Sequence, residues 1–189
     1  MAAVRASLTE DDLRMLVKGP TADERALAAH KLCRAVDRDN LSRQEIAQAH
    51  EILRLMSKDA TELVRRALAI TLKASPVLPR DVALKLARDV ESIAMPVLNF
   101  SPAFTEEDLI DIARTGGAAR QEAIAKRHSL PSAVADALID VGCEEAVRLT
   151  CAKDNADLVE PSLMTAISRY EGSQPVLTAS PIARRCRWR

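Results

Sequence analysis

Apolar residues along this chain recur at steps of three and four, and strand-like alternation is absent. In 61–75, Leu63, Ala67, Ile70 and Ala74 form one such series, and Val64, Leu68 and Leu72 widen it into a broad stripe. In 42–57, Ile46, Ala49, Leu53 and Met56 form another. That spacing places residues on one face of an α-helix. The pattern predicts helices near 9–18, 22–37, 43–57, 61–74, 80–88, 91–99, 106–115, 118–127, 132–141, 144–152 and 161–170.

The predicted starts carry their own chemistry. Thr9-Glu-Asp-Asp12, Thr21-Ala-Asp-Glu24, Ser42-Arg-Gln-Glu45 and Thr105-Glu-Glu-Asp108 each set a hydroxyl three residues ahead of a carboxylate. The hydroxyl accepts from the third amide of the helix, and the carboxylate bonds back toward the cap while facing the positive helix end. Pro79 and Pro131 fall at helix starts, where a missing N–H is tolerated. Pro96 falls inside a helical run and is expected to kink or shorten it.

Two registers of internal repetition overlie this pattern. Leu8-Thr-Glu-Asp-Asp-Leu13 matches Phe104-Thr-Glu-Glu-Asp-Leu109, and with one insertion Ala26-Leu-Ala28 falls on Ala123-Ile-Ala125. Leu78-Pro79 matches Leu130-Pro131, carrying Val82 onto Val134, Leu86 onto Leu138 and Ala94 onto Ala146. Repeated helical units that cannot bury their apolar face alone stack on one another.

Composition narrows the core. Aromatic residues make up only 2% of the 189 residues, so Ala, Leu, Ile and Val must fill it, a mix that suits close-packed helices. Lys and Arg number 27 against 27 Asp and Glu, so no global charge drives the chain toward nucleic acid. No run approaches a membrane-spanning length, and Met1 to Ser7 lacks the apolar stretch of a signal peptide. Cys33, Cys143, Cys151 and Cys186 lie far apart without CxxC spacing, which fits a reducing cytoplasm. A cytoplasmic protein is the expectation.

The turn and helix at Asp59-Ala-Thr-Glu-Leu-Val64-Arg65 resemble the most recognisable part of a HEAT repeat. In that spacing the Asp caps the following helix, Val64 faces the inter-helix core, and Arg65 can reach an Asp of a neighbouring unit. Asp89 followed by Ala94-Met95 is a partial copy without the basic residue. Val147-Arg148 restores the Val-Arg pair behind Gly142-Cys143. The wider segment 59–167 is similar to an uncharacterised, mainly alphaproteobacterial family of HEAT-like helical proteins. The residues that carry this likeness include Val64-Arg-Arg-Ala-Leu-Ala69, Leu84-Lys-Leu-Ala-Arg-Asp89, Asp108-Leu109 and Ala123-Ile-Ala125. The ending, from Ser173 to Arg189, departs from that likeness. The resemblance implies an all-α, right-handed superhelical stack of antiparallel helix pairs, with about 10–11 helices. A single helical-repeat domain over 1–172 is expected, less regular over 1–58 and HEAT-like over 59–170. Residues 173–189 are expected to form a poorly ordered tail.

No catalytic set emerges. His50-Glu51 lacks the second His of a zinc protease helix, since Arg54 stands there. His30 and Cys33 supply two potential ligands where a closed zinc site needs four. His128 beside Cys143 is a weak candidate pair for nucleophilic chemistry. Cys151 lies too far along the helix to bond Cys143. The acids at 10–12 and 106–108 are explained by capping, and Thr115-Gly-Gly117 reads as a turn after a helix. No cofactor and no metal are expected.

The expected function is therefore a non-enzymatic protein-interaction or scaffold module, in the manner of a bacterial regulatory adaptor. Its partner is unidentified, and self-association through an end repeat is a further possibility. The alternative is a nucleic-acid-binding or DNA-repair protein of HEAT-like form. Its basic concave face would be drawn from Arg65, Arg66, Arg88, Arg120 and Arg127.

Overall fold

The computed structural model describes residues 21–38, 43–152, 160–170, 173 and 176. Among the described residues there are ten helices and no β-strand. They are α1 (Ala22–Arg38), α2 (Arg43–Met56), α3 (Glu62–Leu72), α4 (Arg80–Ala87) and α5 (Glu91–Phe100). Then follow α6 (Glu106–Thr115), α7 (Ala118–Ala125), α8 (Ser132–Val141), α9 (Glu144–Ala152) and α10 (Glu160–Arg169). The expected helix at 9–18 and nearly all of the 173–189 tail lie outside the described residues. The chain divides into two compact units, with the boundary between Ala103 and Phe104. The sequence pattern had suggested a change of character at 58/59 inside a single domain.

In the first unit α3 packs against both α1 and α5, α4 lies against α5, and α2 lies against α1 and α3. Ala29, Ala69, Ala83, Ala87 and Ala94 are fully buried, interleaved with Leu32, Leu53, Leu68, Leu72, Leu86 and Leu98. An alanine lets two helix backbones approach closely, and the neighbouring leucines fill the space to either side. In α3 the core takes Val64, Leu68, Ala69 and Leu72. The companion series of Leu63 and Ile70 is left 37% and 50% exposed, so half of the predicted stripe faces solvent.

Local signals act much as expected. Thr21 and Glu24 exchange both capping bonds, at 3.3 Å each. Thr105 and Asp108 do the same at 3.0 and 3.3 Å. Pro79 and Pro131 are the residues just before α4 and α8, both in extended backbone. Pro96 does not shorten α5, which runs four residues past it. Burial of Val97 and Leu98 and the bond from Ser101 N–H to the Val97 carbonyl at 2.9 Å hold that last turn.

In the second unit α8 packs against α6 and α10, and α9 against α7 and α8. The register of 26–28 on 123–125 is not matched throughout, since Leu27 is 58% exposed where Ile124 is fully buried, whereas the positions of the other register have matching fates. Leu78 and Leu130, Val82 and Val134, Leu86 and Leu138, and Ala94 and Ala146 are all buried. Each pair leads from a prolyl cap through a helix into the next one. At the end of this unit Ile139, Val147, Cys151, Ala166 and Val176 cluster, with Tyr170 against them.

Gln121 holds the turns of this unit. It is buried on α7 and donates to the carbonyls of Ala113 at 2.9 Å and Val141 at 3.2 Å. Its carbonyl accepts from Cys143 N–H at 2.9 Å. One side chain thus pairs backbone groups at the ends of α6 and α8 that helix geometry leaves open. Gly142 sits at the same place for a steric reason, because a Cβ there would lie 2.2 Å from the Leu138 carbonyl oxygen. Its own carbonyl accepts from the Tyr170 hydroxyl at 2.9 Å. Replacing Gln121 by Leu strands three backbone groups and is expected to destabilise the protein by about 2–4 kcal/mol. Urea unfolding followed by circular dichroism checks this, and a loss below about 1 kcal/mol would show that the bonds matter little.

Candidate functional site

An arginine–aspartate ladder runs through the first unit. Arg65, in the first turn of α3, makes a forked contact with Asp89, two residues ahead of α5: Nε to Oδ2 is 2.6 Å and Nη2 to Oδ1 is 3.0 Å. Its remaining nitrogen donates to the carbonyls of Asp59 at 2.7 Å and Ala60 at 3.2 Å. One rung earlier, Arg25 of α1 pairs with Asp59 at 3.3 Å and donates to the Thr61 hydroxyl at 2.8 Å. Asp59 Oδ1 in turn accepts from Thr61 N–H at 2.7 Å, fixing the entry to α3.

Each rung therefore joins the first turn of one helix to the turn that precedes its packing partner. Asp89 and Arg65 are mostly shielded, with 13% and 18% of their side chains exposed. The forked bond holds the Asp89 carboxyl below its ordinary pKa and raises that of Arg65. A third arginine, Arg54 at the end of α2, bonds Asp81 of α4 at 2.7 Å and Glu51 at 2.6 Å. The same bond lowers the Asp81 carboxyl.

Arg25, Arg54 and Asp81 were not singled out from sequence. Arg25 had a readable signal, since Thr21 and Arg25 stand in the same spacing as Thr61 and Arg65. Arg54 and Asp81 had none, because their meeting depends on how α2 and α4 are placed.

The residues expected to form a HEAT-like signature separate into two groups. Asp59, Val64, Arg65 and Asp89 work together around α3, with Val64 fully buried. Val147 is also fully buried, but Arg148 pairs with Glu145 of its own helix at 2.6 Å. That bond raises Arg148 and lowers Glu145.

The five proposed face residues divide as well. Arg65 and Arg88 line one open depression of about 440 Å³, together with Lys58, Asp59, Lys85 and Asp89. Arg66 turns elsewhere, bonding Glu62 and reaching the Ser92 hydroxyl at 3.2 Å. Ser92, then Arg66, lower the Glu62 carboxyl. Arg120 and Arg127 lie in the second unit, where burial pulls the Arg127 guanidinium below its usual pKa.

A second surface feature lies on the outer side of α1 and α3. Leu63 and Ile70 are seven residues apart, which puts them about 20° apart around the helix. His30 Nδ1 hydrogen-bonds the Thr71 hydroxyl at 2.8 Å across the α1–α3 seam. Leu27, one turn before His30, is 58% exposed. Leu27 on α1 and Leu63 and Ile70 on α3 are thus exposed aliphatic side chains on the two helices that meet at that seam.

The other candidates from sequence have ordinary surroundings. Cys33 and Cys151 are buried, and Cys143 is half-buried with its backbone bound by Gln121. His50 Nε2 bonds the Val77 carbonyl at 3.0 Å. Among the described residues no group of three or more His, Cys, Asp and Glu is placed to hold a metal ion. No described helix is long and apolar enough to cross a membrane.

These features define an all-helical protein tied together by inter-helix ion pairs and polar latches. Residues 93–185, a little under half of the chain, match the model of a family described as an uncharacterised protein conserved in bacteria (DUF2336). The match starts inside α5 and takes in the helices of the second unit, so the Asp59–Arg65 signature falls outside it. It also runs on through 173–182, where the sequence had suggested a departure. No curated protein and no solved structure matches the chain.

The Asp89 contact has a pH signature. Its folded pKa is depressed, so its stabilisation is full above the unfolded value of about 3.9 and is lost as pH falls through the lower folded value. Asp89→Asn is expected to lose about 1–2 kcal/mol at neutral pH and to show a shallower loss on acidification than the parent. Urea midpoints measured from pH 7 to pH 3 test this. Parallel curves for the two proteins would remove Asp89 as the titrating group.

Proposed function

We propose that this chain is a HEAT-like α-solenoid that serves as a non-enzymatic protein-interaction or scaffold module. The observation that carries the reading is the second apolar stripe of α3. The helix already has a complete core face in Val64, Leu68 and Leu72, yet it presents Leu63 and Ile70 to solvent, as its packing partner α1 presents Leu27. Large aliphatic side chains grouped on an outer face mark interaction surfaces more often than isolated ones do. The stacked arrangement draws support from three features: the buried register between 78–94 and 130–146, the Arg25–Asp59 and Arg65–Asp89 rungs, and the packing of α3 between α1 and α5. In this reading the partner lays an apolar helix or strand along the α1–α3 seam, and the protein acts as a regulatory adaptor in a bacterial cytoplasm.

A nucleic-acid role for the basic residues has less behind it. Arg65 is engaged by Asp89 and two carbonyls, and Arg66 already pairs with Glu62 of its own helix, so both guanidiniums have carboxylates competing with a phosphate. Duplex DNA is expected to cause no mobility shift at low salt, where phosphate contacts are strongest. A shift that weakens steeply with added salt would favour the DNA reading instead.

The interaction reading is tested by capture from a native bacterial lysate with the full chain and with a Leu27→Asp/Ile70→Asp variant. Both positions are exposed, so the variant should keep its helical circular dichroism. The expected result is a stoichiometric protein retained by the parent chain and lost by the variant. Recovery of the same proteins by both chains, or of none by the parent, would sink the proposal.

A further inference from the structure

The depression beside the α2–α3 turn has a charge distribution that the fold does not require. Its lining brings together four cations, Lys58, Arg65, Lys85 and Arg88, and two carboxylates, Asp59 and Asp89. Both carboxylates have arginine partners. Arg65 forks onto Asp89, and Arg25, from outside the lining, pairs with Asp59. The ladder thus neutralises both carboxylates, and Lys58 and Lys85 bring further positive charge to the same lining. Both lysines are exposed. Lys85 also contributes, behind the Arg65 bond, to holding the Asp89 carboxyl low, which places its charge beside that carboxylate.

We propose that this depression binds a small, hydrophilic oxyanion carrying two or more charges, of the phosphate-ester or polycarboxylate class. Its volume of about 440 Å³ is enough for such a molecule. No aromatic side chain is among its lining residues, so nothing there stacks on a nucleobase. The lysines are compact point charges on flexible stems and can close around an anion of either acid type. Arg65, saturated by four hydrogen bonds, acts as scaffold and does not bind the anion directly. Anion binding here is independent of the partner surface on the outer side of α1 and α3.

The test uses the full chain at low ionic strength, where screening is weakest. Pyrophosphate and citrate serve as separate probes, and acetate as the singly charged control. Saturable one-site binding by calorimetry is expected for at least one of the two polyanions, with amide shifts at 57–59 and 85–89 in nuclear magnetic resonance spectra. Which of the two binds more tightly identifies the acid group. Lys58→Ala/Lys85→Ala is expected to weaken binding about tenfold or more. Lys73→Ala/Lys126→Ala removes the same formal charge elsewhere and is expected to change it little. The proposal fails if neither polyanion saturates with local amide shifts, if acetate binds as well, or if the two double variants weaken binding equally.

Discussion

Helices of 8 to 17 residues dominate this protein, and such lengths are marginal in water by themselves. The structure therefore depends on burying one apolar stripe of each helix against its neighbours. Almost no aromatic residues are available, so the burial is done by leucine and valine around fully buried alanines. This constraint sets helices close together and leaves little room at the turns. Most of the polar chemistry described above is found at those turns.

The two units solve the turn problem differently. In the first, charged side chains bridge from one helix to the approach of the next, as Arg25 does to Asp59 and Arg65 to Asp89. In the second, Gln121 and Tyr170 bind backbone groups left over at helix ends. An ion pair of this kind makes stability depend on pH and is partly open to solvent. An amide latch is neutral and fully satisfied, so it works in a drier place. The ladder stops at α5, where Met95 occupies the position that Arg65 holds in α3.

Surface chemistry follows from the same arrangement. Because the core of α3 is served by one stripe, its second stripe, with Leu63 and Ile70, stays exposed. Because the ladder pairs Asp59 and Asp89 with arginines, Lys58 and Lys85 stand as exposed cations in the depression that those carboxylates also line.

The sequence by itself determined the helical character, nearly every helix boundary and the signature contacts around Asp59, Val64 and Arg65. These are local matters: apolar spacing, capping hydroxyls and prolyl caps act within a few residues. It also showed the repetition of 78–94 in 130–146, because equivalent buried positions select equivalent side chains. Periodicity alone did not say which of the two stripes of α3 faces the core, since Leu63 and Ile70 are as apolar as Leu68 and Leu72; only the spacing around Asp59 and Arg65 pointed to the side of Val64. The meetings of Arg54 with Asp81 and of Gln121 with two helix ends were equally hidden, being set by packing across 27 and 20 residues of chain. Only the tertiary structure decided these points, because burial and long-range pairing belong to the packed helices jointly and to no single segment.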